Sequence, residues 1–288
     1  MPEDGGRRSS AGRLLVAIAI AAFGLISYLS QTEVNPVTGE KQRVALNVDQ
    51  ERALGLQSAP EMAEQMGGAV DPSRDPEARF VAEVGRKLVQ ESNASRSPYA
   101  DNFSFNLLND PDTVNAFALP GGPVFITRGL YRRLLNEAQL AGVLGHEIGH
   151  VINRHAAEHI AKGQLGQLLT VAVGVGTDDG EGSGNRAQMI AAMVSQVVQL
   201  KYGRGDESES DHYGLVAMAE SDYDPTAMLD VMRVLKEAGG GQRQPEFLSS
   251  HPLPETRLQE IEEFLRTTYP GGVPSNLSKG RNLEGRAF

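Results

Sequence analysis

The chain has 288 residues, 40% of them hydrophobic, which is enough for one sizeable core but not comfortably for two. Its 27 Lys and Arg against 37 Asp and Glu give a formal net charge of -10, which argues against nucleic acid, since that partner needs a positive footprint. There is no cysteine, so structural disulfides, Cys-ligated zinc and a lipid-attachment cysteine are excluded.

The first predicted element is the uncharged apolar run 14–29, preceded by Arg7, Arg8 and Arg13. As a helix it reaches ~24 Å, slightly short of the ~30 Å hydrocarbon core but workable with flanking residues. It predicts one transmembrane signal-anchor over 14–30, with residues 1–13 cytoplasmic and the remainder extracytoplasmic. A cleaved signal peptide is the rival reading, disfavoured because no clear Ala-x-Ala site follows Leu29.

A polar connector, 30–44, contains the turn Asn35-Pro-Val-Thr-Gly39. Helices are expected over 48–66 and 75–92, the second with Phe80, Val81, Val84, Leu88 and Val89 on one side. Strands are expected at 103–108, 114–119 and 124–127, the last two joined through Pro120-Gly-Gly-Pro123, and a short helix at 129–135.

The next helix carries the most specific motif, His146-Glu147-Ile148-Gly149-His150. Asn136 is its expected N-cap, and Leu140, Val143, Leu144, Ile148, Val151 and Ile152 form its apolar stripe. At about 100° per residue, the two histidines lie ~40° apart around the axis with Glu147 ~60° further on. Two imidazoles on one face beside a carboxylate make a zinc hydrolase layout, with His146 and His150 as ligands and Glu147 as base. Glycines 142, 145 and 149 weaken this helix by up to ~1 kcal/mol each, which close backbone approach to a neighbour would explain. His155 and His159 repeat the spacing, but on a continuous helix residue 155 is turned about 140° from residue 150. They are expected to be surface or packing histidines.

An apolar stretch at 165–175, too short to span a membrane, leads into the Gly-rich acidic loop 176–185 and a helix at 187–201. The acidic run that follows supplies the third ligand that a catalytic zinc needs. Glu207 and Asp211 share a face at i, i+4 while Glu209 points roughly the other way. Glu207 is expected on the metal and Asp211 behind a ligating histidine. Helices near 225–238 and 254–267 complete a domain spanning 31–266, and 267–288 is expected to be a flexible tail.

The chain resembles the HtpX and CAAX-prenyl-protease type of zinc metallopeptidase, and most of all its BepA-like single-domain bacterial branch. The gluzincin pattern of HExxH followed by Arg-x-x-Glu-x-Glu-x-Asp is matched by His146, Glu147, His150, Arg204, Glu207, Glu209 and Asp211. Residues 115–127 are similar to the family's strand pair, and 250–257 to its C-terminal His-Pro element. One departure is Ser210, where the family usually has Ala. The resemblance implies a mainly helical α+β zincin fold, with a small β-sheet packed on the HExxH helix, and one Zn2+ on His146, His150 and Glu207. It also implies Asp211 and Arg204 behind them, a substrate-binding edge strand at Asn115, Ala116, Phe117 and Ala118, and His251 near the cleft. His251 is expected to donate to the reacting carbonyl, to occupy the open metal position, or to be a helix-capping loop residue. The implied function is a zinc endopeptidase in the bacterial cell membrane, acting on protein or peptide substrates in envelope quality control. The alternative is a non-proteolytic holdase or assembly factor with closed, structural zinc, which leaves Glu147 without a role.

Overall fold

A computed structural model describes residues 5–177, 201–239, 246–252 and 255–283. Residues 187–200 of the helix expected over 187–201 and most of the Gly-rich loop lie outside the described residues.

Among the described residues the fold is mainly helical, as expected, with two small sheets, one more than the sequence suggests. Helix α1 (Gly5–Ser30) leads into an antiparallel hairpin of β1 (Thr32–Val34) and β2 (Lys41–Arg43). The connector is therefore a structured element. Its buried Asn35 donates through Nδ2 to Ile152 O at 2.9 Å, and Gln42 donates to Asn153 O, so the hairpin satisfies carbonyls at the end of the HExxH helix.

Helix α2 (Val48–Gln65) starts with a capping box between Asn47 and Gln50. Helix α3 (Pro76–Glu91) starts where Asp75 accepts from the Glu77 and Ala78 amides, with proline at its first position. Its expected apolar side, Phe80, Val81, Val84, Leu88 and Val89, is buried. Strands β3 (Ser104–Leu108), β4 (Ala116–Ala118) and β5 (Pro123–Thr127) form one sheet in the order β3-β5-β4. β5 is parallel to β3 and antiparallel to β4, which leaves β4 as an edge. Helix α4 is shorter than expected, Arg128–Tyr131.

Helix α5 (Glu137–Ile152) carries the HExxH motif through the middle of the core, with every residue after Glu137 buried. Asn136 accepts from the Gln139 amide at 3.0 Å, as its expected N-cap role requires. The helix stops at Ile152. Arg154, at φ 57°, turns the chain through the left-handed region, and α6 (His155–Thr177) runs off in a new direction. The apolar stretch expected as a separate element at 165–175 belongs to this helix, and α6 packs along α1. A Cβ on Gly24 would come within 3.2 Å of Leu168 Cβ.

Helices α7 (Arg204–Glu220), α8 (Ala227–Gly239), α9 (Glu246–Ser250) and α10 (Glu255–Thr268) complete the fold. The segment expected as a flexible tail is corrected over its described part. Arg281 O and Lys279 O accept from the Glu137 and Ala138 amides at 2.9 and 3.0 Å, Leu283 N donates to Leu135 O, and Ser278 bonds with Asp222 and Asp224. The first amides of a helix have no intrahelical acceptor, so this strap caps α5. Residues 284–288 lie outside the described residues.

Candidate metal centre

Helices α5 and α7 cross where glycine removes the side chain from the contact. A Cβ on Gly149 would lie 2.9 Å from Ser210 Cα, and one on Gly145 3.2 Å from Gly214 Cα. A Cβ on Gly142 would meet only the Met218 and Met228 sulfurs at 3.5 Å and Val231 at 3.6 Å, ordinary contacts. Close approach of α7, expected in kind but without a named partner, thus accounts for two of the three glycines. It also brings the carboxylates of α7 within reach of the histidines of α5.

His146, His150, Glu207 and His251 are all buried, and one ligand atom from each lies within 4.8 Å of the other three. His146 Nε2 is 3.1 Å from His150 Nε2 and 3.3 Å from His251 Nδ1. The Glu207 carboxylate is 3.6 Å from His146 Nε2, 3.5 Å from His150 Nε2 and 3.0 Å from His251 Nδ1. Zinc bonds of about 2.0–2.1 Å arranged tetrahedrally imply ligand separations of about 3.3 Å, so this set has the size of a zinc site. His251 is held at the end of α9, its amide donating to Phe247 O at 2.7 Å and its ring stacked on Phe247.

Protons argue the same way. His146 Nδ1 lies 2.8 Å from Asp211 Oδ1, and a carboxylate there keeps the hydrogen on Nδ1. The Nε2 lone pair then faces the other ligands, and a cation relieves the repulsion among these acceptors. Asp211 is itself held by Arg257, whose Nε and Nη2 donate to its two oxygens at 2.7 Å each. Arg257 Nη1 reaches the Pro252 carbonyl at 2.9 Å and lies 2.5 Å from Glu207 Oε2.

Glu147 Oε1 is buried without a hydrogen-bond partner and lies 3.8 Å from His251 Nε2. Burial raises the Glu147 carboxyl, partly opposed by His251 and His146. Burial also acts to raise Glu207, but His251 and His150 hold it well below the usual carboxylate range. Burial pushes His150 well below the usual histidine value. The result is an unprotonated His150 and an ionised Glu207 beside a carboxyl of higher proton affinity, a donor set that suits zinc.

The structure brings together His146, Glu147, His150, Glu207, Asp211 and His251. It does not bring Arg204, which is exposed at the first position of α7. This is a correction, since the arginine behind Asp211 is Arg257. A second correction concerns the direction of His155, read from sequence as a surface or packing residue turned away from the metal-binding histidines. It is buried, with Nδ1 2.9 Å from His150 Nδ1. The 140° offset assumed one continuous helix, and the turn at Arg154 breaks it. Tyr202, given no role in the sequence reading, stacks on His150 with centroids 4.0 Å apart. Ala116, Phe117 and Ala118 form the edge strand β4 and Asn115 immediately precedes it. Ala118 and Leu119 share a hollow with His150 and Tyr202.

Comparison with known proteins gives the same direction. A model of peptidase family M48 matches residues 76–265. The beta-barrel assembly-enhancing protease of Escherichia coli is 31% identical over 284 residues, covering 93% of this chain and 56% of that protein. The mitochondrial metalloendopeptidase OMA1 of Schizosaccharomyces pombe is 27% identical over 248 residues, covering 86% of this chain and 70% of that protein. The chain spans about half the length of the Escherichia coli relative.

Proposed function

The chain belongs to peptidase family M48, and from that premise we propose that it is a zinc-dependent endopeptidase acting on protein substrates at a membrane. The observation that carries this reading is the convergence of His146 Nε2, His150 Nε2 and a Glu207 oxygen beside the unpartnered Glu147 Oε1. Zinc held by those three ligands supplies a Lewis acid for the scissile carbonyl and makes water acidic enough to react near neutral pH.

Glu147 accepts the proton of the attacking water and returns it to the leaving amine. Its unpartnered oxygen and raised proton affinity fit both halves of that role. β4, as an edge strand, binds the substrate backbone by strand addition, which gives affinity with little sequence preference. His251 Nδ1, 3.0 Å from Glu207 and 3.3 Å from His146 Nε2, would compete with water for a zinc held by His146, His150 and Glu207, and so would keep the enzyme in a resting state. A closed four-ligand site is also what a structural zinc needs, but the buried Glu147 favours the peptidase.

The name of the Escherichia coli relative supports a role in envelope protein quality control. The apolar stretch Gly12–Ser30, long enough to cross a bilayer, supports anchoring in the bacterial cell membrane, and Arg7, Arg8 and Arg13 at its amino-terminal end support an extracytoplasmic catalytic domain. The test is zinc analysis and casein proteolysis on the full chain in detergent, beside Glu147→Gln. The variant is expected to keep its metal and fold and lose cleavage by at least ~10²-fold. Most of the activity surviving in the variant sinks the mechanism.

A further inference from the structure

The two histidines of the motif are supported differently. His146 has its outer nitrogen on Asp211, a buried carboxylate clamped by Arg257. The outer nitrogen of His150 meets no carboxylate among the described residues and instead faces His155 Nδ1 at 2.9 Å. The far nitrogen of His155 continues to Glu209 Oε2 at 3.0 Å. Ser210 Oγ also lies 3.4 Å from His155 Nδ1.

One arrangement of protons satisfies this chain and also leaves a lone pair for a metal. If His150 is to ligate through Nε2, its hydrogen sits on Nδ1 and donates to His155 Nδ1. His155 must then carry its own hydrogen on Nε2, where Glu209 accepts it. The reverse arrangement, with His155 Nδ1 donating, moves the His150 hydrogen to Nε2 and blocks ligation. Glu209 selects between them, because a carboxylate can only accept. We propose that His155 and Glu209 are positioning residues that fix the metal-binding tautomer and ring orientation of His150.

The geometry explains three features left over from the sequence. His155 is buried although it has no apolar role, and its ring meets His150 edge-on at 72°, which points nitrogen at nitrogen. The break at Arg154 returns His155 to the metal side of the fold. Glu209 points away from the metal yet lies on the same helix as Glu207, so α7 supplies a ligand from one face and the end of this relay from another. Since the side chain of Glu209 is 52% exposed, the His150 arm opens to solvent while the His146 arm does not.

This rests on the zinc reading given above, and the experiment separates the two. Zinc affinity of the full chain in detergent is measured by competition with a chromophoric chelator, with melting of the metal-free protein followed in parallel. His155→Leu is expected to weaken zinc by about 10 to 100-fold, the range for loss of a hydrogen-bond partner behind a ligand. His155→Asn, whose Oδ1 can take the place of Nδ1 as acceptor, is expected to recover part of the loss. Glu209→Ala is expected to weaken zinc, and Glu209→Gln, which still accepts, to stay close to wild type. Because Glu209 is half exposed, that pair tests the relay even if His155→Leu does not fold. Cobalt substitution adds an independent readout, with a changed visible spectrum expected in His155→Leu. Wild-type affinity in both His155→Leu and Glu209→Ala overturns the relay. So does a lowered melting point of the metal-free protein with no change in affinity, the result expected of packing alone. Absence of zinc binding in the wild type instead overturns the metal-centre reading itself.

Discussion

At the scale of single residues, His251 makes the sharpest claim, because it has two possible jobs with opposite consequences. In this structure its Nδ1 lies among the ligand atoms, 3.0 Å from Glu207 and 3.3 Å from His146 Nε2, which is the place of a competitor to water. His251→Ala is therefore expected to raise kcat/KM on an unfolded protein substrate, with zinc content unchanged or slightly reduced. If His251 instead donates to the reacting carbonyl, the same variant loses about 10² to 10³ in turnover. Steady-state kinetics with metal analysis decides between them, and a large fall removes the resting-state role.

At the scale of elements, the packing of α5 on α7 is the feature most exposed to substitution. Alanine normally favours a helix over glycine by about 1 kcal/mol. At Gly149 the added methyl meets Ser210 backbone atoms at 2.9 and 3.0 Å, and backbone cannot swing aside. Gly149→Ala is expected to destabilise by about 1–3 kcal/mol in denaturant unfolding and to lower zinc content, because it pries Glu207 from the histidines. An equally stable, fully metallated variant contradicts the seam. The start of α7 offers a separate test. Burial acts to raise Asp206, but His159 Nε2 and the Gly203 amide, each 2.7 Å from its Oδ2, hold it down at about 2. A carboxyl depressed by folding adds stability that is present above its unfolded value and is lost as pH falls through the folded one. Stability is thus expected to drop between about pH 4 and 2. Asp206→Ala should cost about 1 kcal/mol at neutral pH and flatten that acid limb. Chemical denaturation at several pH values measures both, and an unchanged slope removes Asp206 from the account.

At the scale of the molecule, the metal centre and the apolar terminal helix are physically joined. α1 exposes Leu14, Leu15, Ile18, Phe23 and Ile26, a surface suited to lipid. Its Gly24 lies against Leu165 and Leu168 of α6, and α6 begins at His155, which touches the metal ligand His150. As the proposed anchor, α1 would hold the cleft near the bilayer surface. A reporter fused after Phe288 is expected to be active only if it functions outside the cytoplasm, and the protein should resist carbonate extraction. A soluble species starting near residue 31 means that the apolar helix is a cleaved signal.

The sequence by itself determined what depends on local periodicity and chain stereochemistry. Two histidines and a glutamate at fixed helical spacing, Glu207 and Asp211 one turn apart, the cap Asn136, and the apolar side of α3 all follow from rules that act within a few residues. The tertiary structure decided which charges are buried and what they face. Arg257 rather than Arg204 clamps Asp211, because α10 packs over α7 while the start of α7 stays in solvent. His155 reaches His150 because Arg154 takes a left-handed conformation without a glycine or proline to mark it. The segment 278–283 is held by α5 amides, whose need for acceptors is local although the choice of acceptor is not. Each of these depends on contacts between residues far apart in the chain, and their energies are invisible to any short window of sequence.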